Sequence, residues 1–191
     1  MRSPSDVLPI ELGDLKLRRM EYEDRQDLFD IYSRTEVTQY ELFGPLDMEA
    51  VDAMLYEQSN IFAGDPGVPL RLVAEYLPET RVIGSCMLMT TDIDARQGEI
   101  GFTFHPEYGG RGFATRTVTA TLGFGFTMLG LHRVVGTVDT RNEPSWKLME
   151  RVGMRREAHF IHDVFADDEW IDDYVYAMLE HEWRDLQAKS S

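Results

Sequence analysis

A loop rich in glycine leads directly into a long helix-like segment near the middle of this 191-residue chain. Residues 105–112 read His-Pro-Glu-Tyr-Gly-Gly-Arg-Gly, and the segment from Phe113 to Met128 is predicted to be helical. Glycine lets a backbone approach a ligand closely, and the first N–H groups of a helix have no partner inside it. The pattern is typical of a phosphate or pyrophosphate site, and also of a plain connection that begins an ordinary helix.

The spacing of apolar residues around this loop predicts a mixed sheet. Three consecutive strands before the loop should be antiparallel, whereas the strand–helix–strand unit over 98–140 should place two strands parallel. The predicted order is β-α-α-β-β-β-α-β-α-β-β, an α/β (α+β) sheet that is not doubly wound. Strands are predicted at 10–17 (one strand or a tight hairpin around Gly13-Asp14), 70–76, 81–89, 97–104, 132–140, 154–165 and 170–179, and helices at about 22–33, 47–55, 113–128, 144–152 and from about 180.

Length and charge bound the class of protein. The chain is expected to be one domain over residues 1–191, with 1–9 and 187–191 as flexible ends. It carries 34 acidic and 19 basic residues, a net charge of −15, so a DNA-binding surface with clustered Lys and Arg is not expected. No apolar run is long enough for a signal peptide or a membrane span, which favours the cytoplasm.

Cysteine and histidine usage predicts no metal site. The single cysteine, Cys86, leaves no disulfide framework and no zinc site built on several cysteines. The five histidines show no spacing typical of zinc ligands. Cys86 is expected in the core, because free cysteine behaves as a small apolar residue.

A second motif follows the predicted strand at 132–140. It reads Asn142-Glu-Pro-Ser145-Trp-Lys147-Leu-Met-Glu-Arg-Val-Gly-Met. Asn142 can stop the strand and hydrogen-bond a nearby amide, and Ser145 in the first helical turn can point at a ligand or at the backbone. Taken alone, this segment is more typical of helix capping than of a ligand site.

Other phosphate-binding loops fit the sequence less well. The Walker A loop needs Gly-Lys followed by Ser or Thr, which is missing here. Gly110-x-Gly112-x-x-Thr115 approximates the dinucleotide fingerprint, but Thr115 replaces the third glycine and the preceding strand is the third of a meander. A nicotinamide enzyme is therefore disfavoured.

The two motifs together resemble the GNAT superfamily of acyl-CoA-dependent N-acyltransferases, specifically its RimJ/RimL-like branch. The resemblance covers about residues 10–185 and is strongest over 98–154. It rests on the strand Gly98-Glu-Ile-Gly-Phe-Thr-Phe with the loop Gly-Arg-Gly-Phe-Ala-Thr, on the Asn-x-x-Ser helix, and on the ending Asp173-Tyr-x-Tyr-x-Met-Leu-x-x-Glu-Trp. One departure is Gly109, which stands where the family's loop usually begins with Gln or Arg; this would weaken pyrophosphate binding unless Arg111 compensates.

The resemblance implies a mostly antiparallel sheet with helices on both faces, in which the parallel strands 98–104 and 132–139 splay apart. The backbone of Phe102 and Phe104 would then pair with the pantetheine of acetyl-CoA, Asn142 would hold its end, and the pyrophosphate would lie over residues 110–115. The implied cofactor-binding residues are Phe102, Thr103, Phe104, Gly109, Gly110, Arg111, Gly112, Phe113, Ala114, Thr115, Asn142, Ser145 and Lys147.

The reaction implied by the resemblance is direct attack of a neutral amine on the thioester carbonyl. The N–H of Phe104 would stabilise the oxyanion, and Ser145 would protonate or position the leaving thiolate. Glu99 would deprotonate the amine, directly or through water. Glu99 is equally well interpreted as a solvent-facing strand residue.

The resemblance favours the α-amine of a protein or peptide N-terminus as the acceptor. Two alternatives stay open: a small-molecule amine such as an antibiotic, a polyamine or an amino acid, and a non-catalytic module that binds acyl-CoA. Residues 157–185 hold ten acidic residues and one basic residue, which would attract a basic N-terminus. The expected assembly is a monomer or a homodimer.

Overall fold

The computed structural model of the protein describes residues 7–59, 61, 63, 65–166 and 168–190. Of the predicted flexible ends, residues 1–6 and 191 lie outside the described residues. Residues 187–190 continue the last helix, whose Trp183 and Leu186 pack against the main core. The flexibility of this end stays a prediction.

Eight strands form a single mixed sheet in the described part of the chain. They are β1 (Ile10–Leu12), β2 (Leu15–Arg19), β3 (Leu70–Tyr76), β4 (Arg81–Asp92), β5 (Gln97–Phe104), β6 (Arg133–Asp139), β7 (Arg155–Ala166) and β8 (Glu169–Leu179). Their order across the sheet is β1-β2-β3-β4-β5-β6-β8-β7, and every neighbouring pair is antiparallel except β5 and β6. This mixed α/β architecture, with one parallel pair, confirms the predicted fold class.

Helices cover both faces of the sheet, as predicted. They are α1 (Arg25–Tyr32), α2 (Thr35–Thr38), α3 (Met48–Gln58), α4 (Phe113–Thr127), α5 (Glu143–Arg151) and α6 (Glu180–Ser190). Apolar residues of α4, α5 and α6 form the larger core with strand residues such as Leu72 and Ile100. A smaller core joins α1 and α3 to the other face, where Ile31 packs with Val73. Cys86 is fully buried, as predicted, and burial raises the pKa of its thiol to about 12.

Local signals explain where several helices begin and end. The carboxylate of Asp47 accepts the N–H of Ala50 at 2.9 Å and caps α3. Gly153, which follows α5, has a φ of +94°, a left-handed conformation that glycine adopts at low cost.

The structure differs from the predicted elements in three places. The helix predicted at 22–33 begins as a 3-10 turn at Tyr22–Asp24 and continues as α1. Helix α2 is a single turn without apolar periodicity, so the sequence pattern did not indicate it. Strand β4 continues to Asp92 because Thr90 and Asp92 still pair with β5. No helix of the described residues is long and apolar enough to cross a membrane.

Candidate active site

The parallel strands β5 and β6 are joined at one end only. Three residue pairs link them, and the last is Glu99 opposite Val135. Beyond this point β5 continues to Phe104 along β4, while β6 continues to Asp139 along β8. No further pair between the two strands occurs among the described residues, so they splay apart as the resemblance implied.

The splay leaves backbone groups of β5 facing an open gap. Along a strand, successive residues direct their backbone groups to opposite edges. The carbonyl of Arg96 accepts from the first residue of β6 at 3.3 Å, whereas the N–H of His105 donates to Ile83 on the β4 side at 2.9 Å. The even-numbered residues Phe102 and Phe104 therefore direct their N–H and C=O groups into the gap, where the amides of a ligand can pair with them.

A cavity of about 630 Å³ lies at this gap and connects the two faces of the sheet. On the face covered by α1 it is lined by side chains such as Ser85, whose hydroxyl lies 2.7 Å from that of Tyr32. Through the gap it reaches Ser145 and Met149 on α5, which packs on the opposite face. The remaining wall consists of residues 39–43, Arg71, Met87, Gly101, Thr137, Val138, Asp139, Arg141, Val164, Ala166, Glu169, Ile171 and Asp173.

The structure brings together five of the predicted site residues in this cavity. They are Glu99, Phe102, Thr103, Asn142 and Ser145. Residues 109–115 and Lys147 lie outside the cavity, and so does the side chain of Phe104. The ring of Phe104 lies directly against Gly84, where no Cβ would fit, so this residue can serve the gap through its backbone alone.

Asn142 and Ser145 are held by the start of α5. The side-chain oxygen of Asn142 accepts the N–H of Ser145 at 3.3 Å, which makes Asn142 the N-cap of the helix. The capping arrangement predicted from sequence is therefore present, and both residues also line the cavity. Capping and ligand contact are compatible because the cap uses the backbone N–H of Ser145 and leaves its hydroxyl available.

The glycine-rich loop forms an open helix N-terminus. Gly110 and Gly112 have φ values of +72° and +76°, in the left-handed region, whereas Gly109 has an ordinary φ of −63°. The N–H of Arg116 makes the first backbone bond of α4, to the carbonyl of Gly112 at 3.1 Å. The N–H groups of residues 113–115 precede it and make no backbone hydrogen bond outside the helix in the described part of the chain, so they can bind an anion.

Arg111 is held in a cluster of aromatic rings beside this N-terminus. Its guanidinium carbon lies 4.5 Å from the ring centre of Phe113, 4.9 Å from that of Tyr76 and 5.8 Å from that of Tyr108. One terminal N–H donates to the Tyr76 hydroxyl at 2.9 Å. The aromatic faces orient the cation, and its other N–H groups are available to a phosphate.

Lys147 has a different environment. Its ammonium pairs with the Glu143 carboxylate one turn earlier and lies 5.5 Å from the ring centre of Trp146. It is half exposed on the surface of α5. Its implied contact with the cofactor stays a prediction.

Sequence reasoning missed the charged residues at the far end of the cavity. Arg141 donates to Asp139 at 2.6 Å and also pairs with Glu169, so it links the end of β6 to the start of β8. Asp173 lies directly opposite Asp139 on the neighbouring strand. The acidic stretch over 157–185 indicated negative charge here, but the pairing of β6 with β8 was needed to bring these residues together.

Metal ligands are not grouped in the described part of the chain. No cluster of three or more His, Cys, Asp or Glu residues there could hold a metal ion.

Comparison with known proteins places this geometry in a family. The family model described as an acetyltransferase (GNAT) domain matches residues 14–155. YnaD, an uncharacterised N-acetyltransferase of Bacillus subtilis, is 32% identical over 169 residues, which cover 88% of this chain and 95% of the relative. The spermidine N(1)-acetyltransferase of Escherichia coli K12 is 24% identical over 174 residues, 88% of either protein.

Solved structures share the same fold. A GNAT-family acetyltransferase from Bacillus anthracis, 29% identical, superposes with a TM-score of 0.81 over 91% of this chain and 99% of its own. The fold is also that of a spermidine N-acetyltransferase from Vibrio cholerae in complex with CoA and spermine, 22% identical, with a TM-score of 0.77 over 90% and 98% of the two chains. This chain belongs to the GNAT acetyltransferase family and is an acetyl-CoA-dependent N-acetyltransferase.

Proposed function

We propose that this enzyme acetylates the α-amine of a peptide or protein N-terminus, within one domain that spans the chain. The cavity that passes through the splayed sheet carries this proposal. It joins Ser145 on one face to a region on the other face where carboxylates stand beside apolar residues such as Leu42, Val164 and Ile171. A peptide N-terminus with an apolar first residue matches this region, because its ammonium can pair with the carboxylates and its side chain can pack against the apolar residues.

Acetyl-CoA is proposed to lie along β5 and across the start of α4. The gap-facing backbone groups of Phe102 and Phe104 would pair with pantetheine amides, because buried backbone groups need partners. The open N–H groups of residues 113–115 and the guanidinium of Arg111 would bind the pyrophosphate. Asn142 and Ser145 would then border the thioester end of the cofactor.

The proposed reaction balances without a further co-reactant. Glu99 accepts one proton from the acceptor ammonium through water in the cavity, because it lies five residues before Phe104 on β5, and the neutral nitrogen attacks the thioester carbon. The N–H of Phe104 stabilises the oxyanion while the N–C bond forms and the C–S bond breaks. The thiolate takes the second proton from the nitrogen through the Ser145 hydroxyl, and Glu99 releases its proton to solvent.

Proton chemistry supports an α-amine over a lysine side chain. Model α-amines titrate at about 7.7–8.0 and lysine at about 10.4, so at pH 7 roughly one α-amine in ten is neutral against a few lysines in ten thousand. A site with one proposed base, Glu99, suits the acceptor that needs less help. The RimJ/RimL-like sequence pattern supports the same choice.

A small polyamine is the second candidate acceptor. Glu41, Glu99, Asp139, Glu169 and Asp173 all line the cavity, and several carboxylates along one channel suit a ligand with several ammonium groups. The spermidine acetyltransferases among the relatives support this candidate as well. Leu42, Val164 and Ile171 can hold the apolar first side chain of a peptide, but the methylene segments of a polyamine can pack against them as well, so the acceptor panel below decides between the two.

A panel of acceptors tests the proposal. We would supply acetyl-CoA with free-N-terminal peptides lacking lysine, N-blocked peptides containing lysine, and spermidine, and measure thiol release and product mass. Fast acetylation of the free N-terminus is expected. Equal rates for blocked lysine peptides would refute the α-amine, and reaction of spermidine alone would replace the peptide with the second candidate.

A further inference from the structure

The end of the cavity opposite Glu99 contains a buried carboxylate that has no part in the reaction proposed above. Asp173 on β8 is 8% exposed and lines the cavity. In the described part of the chain, no hydrogen-bond donor or cation pairs with its side chain; burial and other carboxylates are the influences on it. An ionised carboxylate buried without a partner costs free energy, so its presence needs a reason.

The groups around Asp173 increase this cost. Asp139 lies directly opposite on β6, and the charges of Asp163 on β7 and of the adjacent Asp172 also repel it. Like charges directly opposite in a sheet are destabilising. Arg141, which lines the same cavity, is already paired with Asp139 and Glu169. Burial and these neighbouring carboxylates together raise the pKa of Asp173.

The register of the sheet puts Asp173 level with the proposed point of reaction along the strand direction. Val135 is paired with Glu99, and Asp139 follows four residues later on β6, about 13 Å along the strand. Asp139 and its partner Asp173 therefore stand at about the level of Thr103, next to Phe104. Glu99 stands at the closed end of the splay, so the two carboxylates occupy different ends of the cavity.

We propose that Asp173 binds the positive charge of the acceptor amine and holds the ammonium beside the thioester. This inference rests on the proposed function and names the residue that recognises the acceptor's charge. A primary ammonium supplies the hydrogen bonds and the charge that the free protein does not give to Asp173. Glu99 lies about 13 Å away along the strands, so the proton would reach it through water in the cavity, and Asp173 acts on binding of the acceptor.

The first test needs no acceptor and no acetyl transfer. Asp173→Asn keeps the shape of the side chain and removes its charge, so we expect a higher melting temperature than wild type at pH 7. Because the pKa of Asp173 is raised in the folded protein, the repulsive cost exists at neutral pH and fades as pH falls. The difference should therefore vanish at about pH 4, near the ordinary pKa of aspartate.

Asp172→Asn is the matched control, one residue away with the same change in charge. Asp172 accepts the backbone N–H of His162 at 2.8 Å and lies 3.2 Å from the imidazole of His159, and these bonds lower its pKa. This variant should lower the melting temperature at pH 7. If Asp173→Asn is no more stable than wild type at pH 7, Asp173 has a partner in the protein and the inference is wrong.

The second test measures recognition of the amine. A tripeptide amide with a free N-terminus, and spermidine, should raise the melting temperature of wild type, whereas the N-acetylated tripeptide should not. For Asp173→Asn we expect amine affinity and the acceptor KM to weaken by about tenfold or more, the equivalent of one charge-assisted hydrogen bond, with kcat little changed. Asp172 is not among the described residues that line the cavity, so Asp172→Asn should change the amine affinity and the acceptor KM much less.

The outcomes separate the two proposals. Unchanged amine affinity in Asp173→Asn overturns the role of Asp173, and so does a fall in kcat with an unchanged KM, which would make Asp173 the proton acceptor. If no acceptor of the panel is acetylated while amine protection still depends on Asp173, the proposed function fails and the charge-binding role stands.

Discussion

Ser145 has a structural role and a proposed catalytic role, and one substitution can separate the two. Its backbone N–H is bound by the Asn142 side chain at 3.3 Å, while its hydroxyl is left for the cavity. Ser145→Ala keeps the N–H and removes the hydroxyl, so we expect kcat to fall with little change in the KM for acetyl-CoA, the signature of a group that acts in the transition state. Assistance of this kind is typically worth about 10²–10⁴ in rate, which steady-state thiol release would measure.

Asn142→Ala is the companion variant for this experiment. It removes the cap itself and should cost about 1 kcal/mol of stability. Ser145→Ala should leave the melting temperature close to wild type. An unchanged kcat in Ser145→Ala would restrict Ser145 to its structural place in the first turn of α5.

For Arg111, a proposed contact with phosphate can be separated from a structural role in the loop. Three aromatic rings hold its guanidinium beside the start of α4. The side chain is therefore already ordered in the free protein, and binding of a phosphate removes little further conformational entropy from it. Arg111→Ala should weaken CoA binding by about tenfold or more, as loss of a charge-assisted contact predicts, and affect phosphate-free pantetheine less. Calorimetric titration with the two ligands would measure the difference.

Arg116→Ala is the control for loss of a nearby arginine. Arg116 contacts the ring of Phe113 at 5.2 Å, but it is bound to Asp14 at 2.7 Å and to the carbonyl of Leu12 at 3.0 Å. Arg116→Ala should leave the ratio of the affinities for CoA and pantetheine unchanged. Equal losses for CoA and pantetheine in Arg111→Ala would show that Arg111 supports the fold of the loop and does not contact phosphate.

Individual site residues were predictable where a motif fixes their place. Glu99, Asn142 and Ser145 belong to local patterns, and all three line the cavity. Arg141 and Asp173 were not predictable, because their relationship depends on the antiparallel pairing of β6 with β8. Spacing within the chain contains no information about which residue will face which across two strands.

The glycine-rich loop and the first turn of α4 act as one element. Gly112 has a φ of +76° and nothing within 4 Å of an added Cβ, so Gly112→Ala strains the backbone without a clash. We expect a stability cost of about 1 kcal/mol. Because the strain lies at the proposed pyrophosphate site, CoA binding should also weaken by about tenfold, the equivalent of one lost hydrogen bond to phosphate.

Gly130→Ala is a closely matched control. Gly130 follows α4, has a φ of +65° and also has open space around its position, so it carries the same strain at the other end of the helix. Chemical denaturation should give similar losses of stability for both variants. CoA affinity should fall in Gly112→Ala alone; a parallel loss in Gly130→Ala would trace the effect to general destabilisation.

Most of the elements were predictable because their apolar residues repeat at the right period. The apolar runs of β3 and β4 match strands that are buried on both faces over most of their length, the first half of β5 alternates, and the helical spacing in α3 places Val51 and Leu55 in the core. The short helix α2 was not predictable, because four residues are too few to show a period. The splay of β5 from β6 was expected from resemblance to a family, since apolar period alone does not reveal where a ladder ends.

The whole molecule and its cavity both carry an excess of negative charge. The chain carries 34 acidic and 19 basic residues, and five carboxylate side chains line the cavity against two arginines, Arg71 and Arg141. Arg141 is neutralised by its two acidic partners. A cationic acceptor is therefore attracted both over long range and at the site.

This attraction predicts how salt will affect recognition of the acceptor. Screening shortens the reach of charges from about 10 Å at 0.1 M to about 3 Å at 1 M ionic strength. The KM for a peptide with basic residues near its free N-terminus should rise severalfold over that range, while a peptide with neutral neighbours should change less. The value of kcat should stay nearly constant for both, because the chemical step is proposed to take place inside the cavity.

Steady-state rates for the peptide pair at the two salt concentrations would measure the effect, with the KM for acetyl-CoA followed in parallel. If the two peptides lose affinity equally, the attraction resides in the reacting ammonium alone, and the acidic residues 157–185 do not select the sequence of the acceptor.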